Sequence, residues 1–222
     1  MGVQIIGAPT ARKLPPRSGP IKASIVHTTG DTDLDKILRW YESADGLQPH
    51  YMIATDATIR RFVMEDHIAW HAKIDPAEAR LYQRGYGEWS CWTWPLSAGA
   101  PVHVGQEFSG YRMWRDRWPG LQSPLELVTA DHPNSVSVGI ELQQPVKPGP
   151  GIFTPGQYQA LAELLVDIHG RTGVPLDRQH VLGHSDCSPM RRSTAAGGWD
   201  PGVTFDWNRL WDLVRAVSGA QP

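Results

Sequence analysis

Short β-rich runs alternate with helical patterns along this chain, and that alternation restricts the fold more than any single motif does. The run "ASIVHTTG" (23–30) is extended and ends in His27 and Gly30. In "DTDLDKILRWYES", Leu34, Ile37, Leu38 and Tyr41 share one helical face, with Asp31 or Thr32 placed to cap it. "HYMIATDATIRRFV" (50–63) reads as two strands around a tight turn at Thr55, Asp56 and Ala57. "NSVSVGIEL" (134–142) reads as a strand with Val136, Val138 and Ile140 on one face and Ser137, Gly139 and Glu141 on the other. The clearest helix opens with Thr154 as cap and Pro155 in its first turn, and it stops at Gly170 or Gly173. A short strand is expected at His180–Leu182, then a last helix over about 206–218 carrying Trp207, Leu210, Trp211 and Val214. The interleaving predicts an α/β domain with a central mixed β-sheet flanked by helices.

Residues 1–20 read as an extended, proline-punctuated lead-in. Residues 75–133 break the rhythm: "GEWSCWTWP" and "YRMWRDRWPG" hold five of the ten tryptophans and little periodicity. Long irregular segments in compact domains tend to be lids or binding loops. We therefore expect one domain over 1–222, with a core at 21–74 and 134–218 and a Trp-rich insertion at about 75–133. A net charge of −2 gives no electrostatic case for nucleic acid. No stretch approaches the roughly 20 apolar residues of a membrane span, and no export signal is visible at the start. Synthesis in the cytoplasm without a signal peptide is expected, with any extracellular target reached after release or by specialised export. A monomer is expected. Cys91 and Cys187 are too few for a disulfide scaffold, and the sequence leaves their pairing open.

Of the nine histidines, His50, His67, His103, His132, His169 and His180 are read as ordinary hydrogen-bonded or solvated residues. His27 differs, because it ends an apolar strand, where sites on α/β sheets gather. His184 follows a short strand and a glycine, with Asp186, Cys187 and Asp200 all nearby in sequence. Two histidines plus one carboxylate or thiolate is the donor set of a catalytic zinc; a structural zinc takes four protein ligands, usually with more cysteines. Glu141 by itself is a solvated strand residue, but beside a metal a carboxylate is the natural proton shuttle.

Taken together, "SIVHTTG" (24–30), "PHYMIATDATIRRFVMEDHIAWHA" (49–72), "NSVSVGIEL", "FTPGQYQALAELL" (153–165), "GHSDCSP" (183–189) and "DPGVTFDW" (200–207) resemble one family. It is the zinc-dependent N-acetylmuramoyl-L-alanine amidases of the Amidase_2 type, relatives of the peptidoglycan recognition proteins. The segments come in the family's order and span nearly all of the core. The resemblance implies Zn2+ held by His27, His184 and Asp200, with Glu141 as the catalytic glutamate. It also implies a substrate cleft bordered by Trp70 and His71, with Asn134, three residues before Ser137, fitting the motif of the Glu141 strand and placed with the substrate-binding residues. Cys187 stands where relatives carry an apolar residue, and Asp186 is expected to bond locally in its turn. Arg192 stands where relatives usually have lysine, with Arg191 as the alternative. Arginine keeps its proton near neutrality, so it can stabilise charge but cannot act as an acid.

Two departures accompany this. Residues 185–199 separate His184 from Asp200, more than in many relatives, and an insertion within "STAAGGW" reconciles the counts. The 75–133 segment is also far longer than in compact members. The implied activity is hydrolysis of the amide between N-acetylmuramic acid and L-alanine in peptidoglycan or a muropeptide, in wall degradation of endolysin type or in recycling. The competing readings are a non-catalytic peptidoglycan-binding module and an unrelated metallohydrolase or carbohydrate-binding domain using the Trp-rich segment.

Overall fold

The computed structural model describes residues 4–7, 14–43, 47–72, 133–144, 153–184, 200–202 and 205–219. The expected insertion therefore lies outside the described residues, apart from Pro133. Six strands form one sheet: β1 (Ile5–Ile6), β2 (Ala23–Thr28), β3 (Tyr51–Ile53), β4 (Ile59–Arg61), β5 (Ser137–Leu142) and β6 (Val181–Gly183). Among the described residues, four helical elements accompany them: α1 (Leu34–Glu42), the single turn α2 (Pro133–Val136), α3 (Pro155–Thr172) and α4 (Trp207–Ser218). The strand order is β1, β4, β3, β5, β2, β6. Only β3 and β4 pair antiparallel, so the sheet is mixed, as the alternation predicts.

Long parallel strands buried on both faces read as near-continuous apolar runs, and β2 and β5 sit at the centre of this sheet. One face is apolar. Val138, Ile140 and Leu142 of β5 pack there with Val26, Tyr51 and Ile53 against Leu161, Leu164 and Leu165 of α3 and Leu210 of α4. Phe153, Tyr158, Phe205 and Trp207 cluster where α3 and α4 begin, edge-on in every pair except the tilted Tyr158–Phe205. The Arg178 guanidinium lies 3.7 Å from the centre of the Trp207 ring. The opposite face is covered by α1, whose Ile37 and Tyr41 pack with Met52, Ala54 and Phe62.

Caps explain the helix limits. Thr154 and Gln157 form a reciprocal capping box, and Gly173 closes α3 in the left-handed conformation. Asp206 caps α4. The cap of α1 is Asp33, whose side chain accepts from the Lys36 N–H, and not Asp31 or Thr32 as expected. Asp31 is engaged elsewhere: its carboxylate accepts from the Thr32 and Asp33 N–H groups and from Lys36 Nζ.

Three other expectations need correcting. Residues 134–136 are helical, so Val136 belongs to α2 and not to the strand. The strand near 180 begins at Val181, one residue late. The lead-in contains β1, held parallel to β4. The hairpin turn stands as expected, with Ala57 at φ 70°. Among the described residues, no helix is long and apolar enough to cross a membrane.

Candidate active site

Parallel register places the site. His27 of β2 lies level with Glu141 of β5, and Met52 of β3 lies level with Glu141 on its other side. Partners level across a sheet project to the same face, so His27 and Glu141 share the face opposite the apolar core. Gly183 pairs with Val26, which brings the next residue, His184, alongside His27. The two imidazoles meet edge-to-face with centroids 4.7 Å apart.

Asp200 completes the group from a segment far along the chain. Its Oδ1 accepts the Thr28 N–H at 2.7 Å. Its Oδ2 sits 3.3 Å from His27 Nδ1 and 3.2 Å from His184 Nδ1. All three side chains are buried, and one donor atom from each lies within 4.8 Å of the others. Donors placed 2.0–2.1 Å from a tetrahedral zinc lie about 3.3 Å from one another, which the two carboxylate-to-imidazole distances match. The donor set and spacing thus fit a zinc with a fourth position left for a reactant. Burial alone would raise the Asp200 carboxyl, but the charges and hydrogen bonds of His27 and His184 outweigh it. They hold the group well below the usual carboxylate range.

Tyr41 of α1 is buried over this face. Burial, together with the charges of Glu141 and Asp200, pushes its hydroxyl well above the ordinary range, so it stays neutral. Beside the end of β2 a cleft of about 630 Å³ opens along α1, lined by Thr29, Asp31, Lys36 and Trp40 among others.

The residues expected at the cleft wall fall into two groups. Trp70 is exposed at 40%, with its backbone bridged to Gln48. His71 and Asn134 are buried instead. His71 Nδ1 lies 3.0 Å from His27 Nε2, and Asn134 Oδ1 accepts the N–H groups of His71 and Ala72. His71 is held well below the ordinary histidine range, by burial first and then by its neighbours His27, His50, His184 and Arg17. Arg192, Arg191, Cys187 and Asp186 lie outside the described residues.

Two residues of this layer are given no site role by the sequence. His50 holds Gly139 from both sides: its Nδ1 accepts the Gly139 N–H, and its own N–H reaches the Gly139 carbonyl. Burial first, then the Arg17 charge, push His50 down to about 3. Arg17 donates to the carbonyls of Glu65, Ser135 and Ser137, which ties the lead-in to α2 and β5. The signal available for this layer was the small-residue face of β5, Ser137 and Gly139, in line with Glu141.

Residues 17–203 match the sequence family described as Amidase_2, N-acetylmuramoyl-L-alanine amidase. The chain belongs to this amidase family. Among curated proteins, none matches the chain. Solved structures with the same fold include a selenomethionine derivative of AmpD, at TM-score 0.53 and 18% identity, covering 96% of this chain and 94% of that one. The amidase AmiD from E. coli, solved with anhydro-N-acetylmuramic acid-L-Ala-D-γ-Glu-L-Lys, matches at TM-score 0.53 and 23% identity, over 91% of this chain and 61% of its own. The endolysin LysCS from Clostridium intestinale URNW matches at TM-score 0.51 and 16% identity, over 100% of this chain and 99% of its own.

Proposed function

We propose that this amidase is zinc-dependent and hydrolyses the amide joining the lactyl group of N-acetylmuramic acid to L-alanine of the peptidoglycan stem peptide. The observation that carries the reading is the buried set of His27, His184 and Asp200 with Glu141 level with His27 on the same face. A zinc ion held by these three donors supplies Lewis acidity, which makes water nucleophilic near neutral pH and polarises the scissile carbonyl. Glu141 takes a proton from the attacking water on its carboxylate and returns it to the departing L-alanine nitrogen as the C–N bond breaks. Arg192 lends positive charge to the tetrahedral oxyanion, a contribution worth roughly 2.7–4 kcal/mol per donor in measured systems. Trp70 offers an exposed aromatic face to the glycan or peptide.

The substrate is the bacterial wall itself, in a degradative role of endolysin type; the end-to-end match with LysCS supports this. Recycling of soluble fragments is the second reading, favoured by the anhydro-muropeptide bound in AmiD. Mass spectrometry of products from intact sacculi and from a soluble anhydro-muropeptide tests both. Release from sacculi of peptides that begin with L-alanine is the expected result. Cleavage of the soluble fragment alone would replace wall degradation with recycling. Binding of either substrate without cleavage by zinc-loaded protein would make the chain a recognition module.

A further inference from the structure

A chain of hydrogen bonds runs away from His27 on the side opposite Asp200. His27 Nε2 meets His71 Nδ1 at 3.0 Å. His71 Nε2 in turn meets Ser137 Oγ at 3.4 Å, and the Ser137 hydroxyl donates to the Pro133 carbonyl at 2.6 Å. The last link sets the direction of all the others. A carbonyl can only accept, so the Ser137 proton points at Pro133, and the Ser137 lone pairs face His71. His71 therefore carries its proton on Nε2 and presents a bare Nδ1 to His27. His27 must then carry a proton on Nε2, so the neutral imidazole, the form that ligates a metal, has its Nδ1 bare.

That bare nitrogen lies 3.3 Å from a carboxylate oxygen of Asp200. Two lone pairs facing each other in a buried site repel unless a proton or a metal ion lies between them. The relay thus selects the tautomer of His27 that a cation at this site requires. Outer partners of this kind orient a metal-bound imidazole and raise its basicity.

The packing shows that His71 is seated for this task. A Cβ at position 139 would fall 2.2 Å from His71 Cγ, so the imidazole occupies the space a side chain would take. His50 clamps the same Gly139 through its N–H and its carbonyl, and Asn134 fixes the backbone of 71 and 72. A residue of the cleft wall would need none of these restraints.

We infer that His71 is a positioning residue of the metal centre, working with Ser137 and Gly139 to hold His27 in the Nε2–H tautomer with Nδ1 aimed at the cation. This rests on the zinc reading above, and the test separates the two. Zinc affinity is measured by chelator competition for wild type, His71→Leu, His71→Asn and Gly139→Ala, alongside the visible spectrum of each cobalt-substituted protein. His71→Leu is expected to weaken zinc binding by about 10–100-fold and to shift the cobalt bands. His71→Asn, whose Oδ1 can accept where Nδ1 did, is expected to restore most of both. Gly139→Ala should copy the leucine variant, because it displaces the ring while keeping it.

Wild-type protein that binds no zinc would overturn the metal reading and this inference with it. Wild type that binds zinc, with a leucine variant equal to it in affinity and spectrum, would overturn the positioning role alone. Long-range proton–nitrogen NMR on zinc-loaded wild type decides the matter if the variants do not fold. Protons on Nε2 of both His27 and His71 support the inference, and ligation of His27 through Nε2 overturns it.

Discussion

The two faces of the sheet are built on opposite rules, and β5 serves both. Val138, Ile140 and Leu142 point into a close-packed apolar layer under α3 and α4. Ser137, Gly139 and Glu141, alternating with them on the same strand, face a layer of buried polar groups that bond one to the next. In the apolar layer, shape and volume set the cost of a change. In the polar layer the cost comes from a partner left unsatisfied, so even a small substitution there acts at a distance. The comparison teaches that neighbouring residues of one strand should separate cleanly into those that set stability and those that set chemistry.

The largest expected effect is on the polar face. Glu141→Gln is expected to lower kcat by about 10²–10⁴-fold with zinc content unchanged, read by product release and metal analysis. Loss of zinc together with activity would make Glu141 part of the metal cradle instead. On the apolar face, Leu164→Ala should cost about 2–5 kcal/mol in urea unfolding while leaving zinc affinity in the folded protein unaltered. A change in zinc affinity would mean that the two faces are not separable.

Next comes a pH effect. His50 is buried neutral at about 3, against an ordinary value of 6.5. The unfolded chain therefore takes up a proton that the folded one refuses, and stability falls as pH drops from 6.5 towards 3. His50→Asn, which keeps an acceptor for the Gly139 N–H, should flatten that acid limb in unfolding titrations. An unchanged slope would assign the limb to other groups. The smallest effect is at the edge of the apolar layer: Thr154→Ala removes the capping box and should cost about 1 kcal/mol, with kcat/KM unmoved.

The elements that local chemistry decides were legible in the sequence. Thr154, Pro155 and Gly173 mark α3 by themselves, and the alternation at 137–142 marks β5. Errors arose where distant residues decide. Val136 continues the strand alternation locally, and nothing local shows that Arg17 gathers the carbonyls of α2 and β5. β1 escaped because two residues become a strand only by pairing with β4.

The site divides in the same way. His27, His184, Asp200 and Glu141 could be named from motifs, but their meeting depends on parallel register and on the Thr28 N–H that seizes Asp200. The packing of His71 on Gly139 was hidden altogether, since it joins positions far apart in sequence. Trp70, expected beside His71 at the cleft wall, is exposed where His71 is enclosed.

The most direct test of the proposed metal centre is the zinc content of purified wild type, Asp200→Ala and Cys187→Ser, each assayed for amide cleavage. Zinc and cleavage in wild type and the serine variant, with both lost in Asp200→Ala, is the predicted result. An alanine variant that keeps its zinc, or a serine variant that loses it, would contradict the assignment of His27, His184 and Asp200.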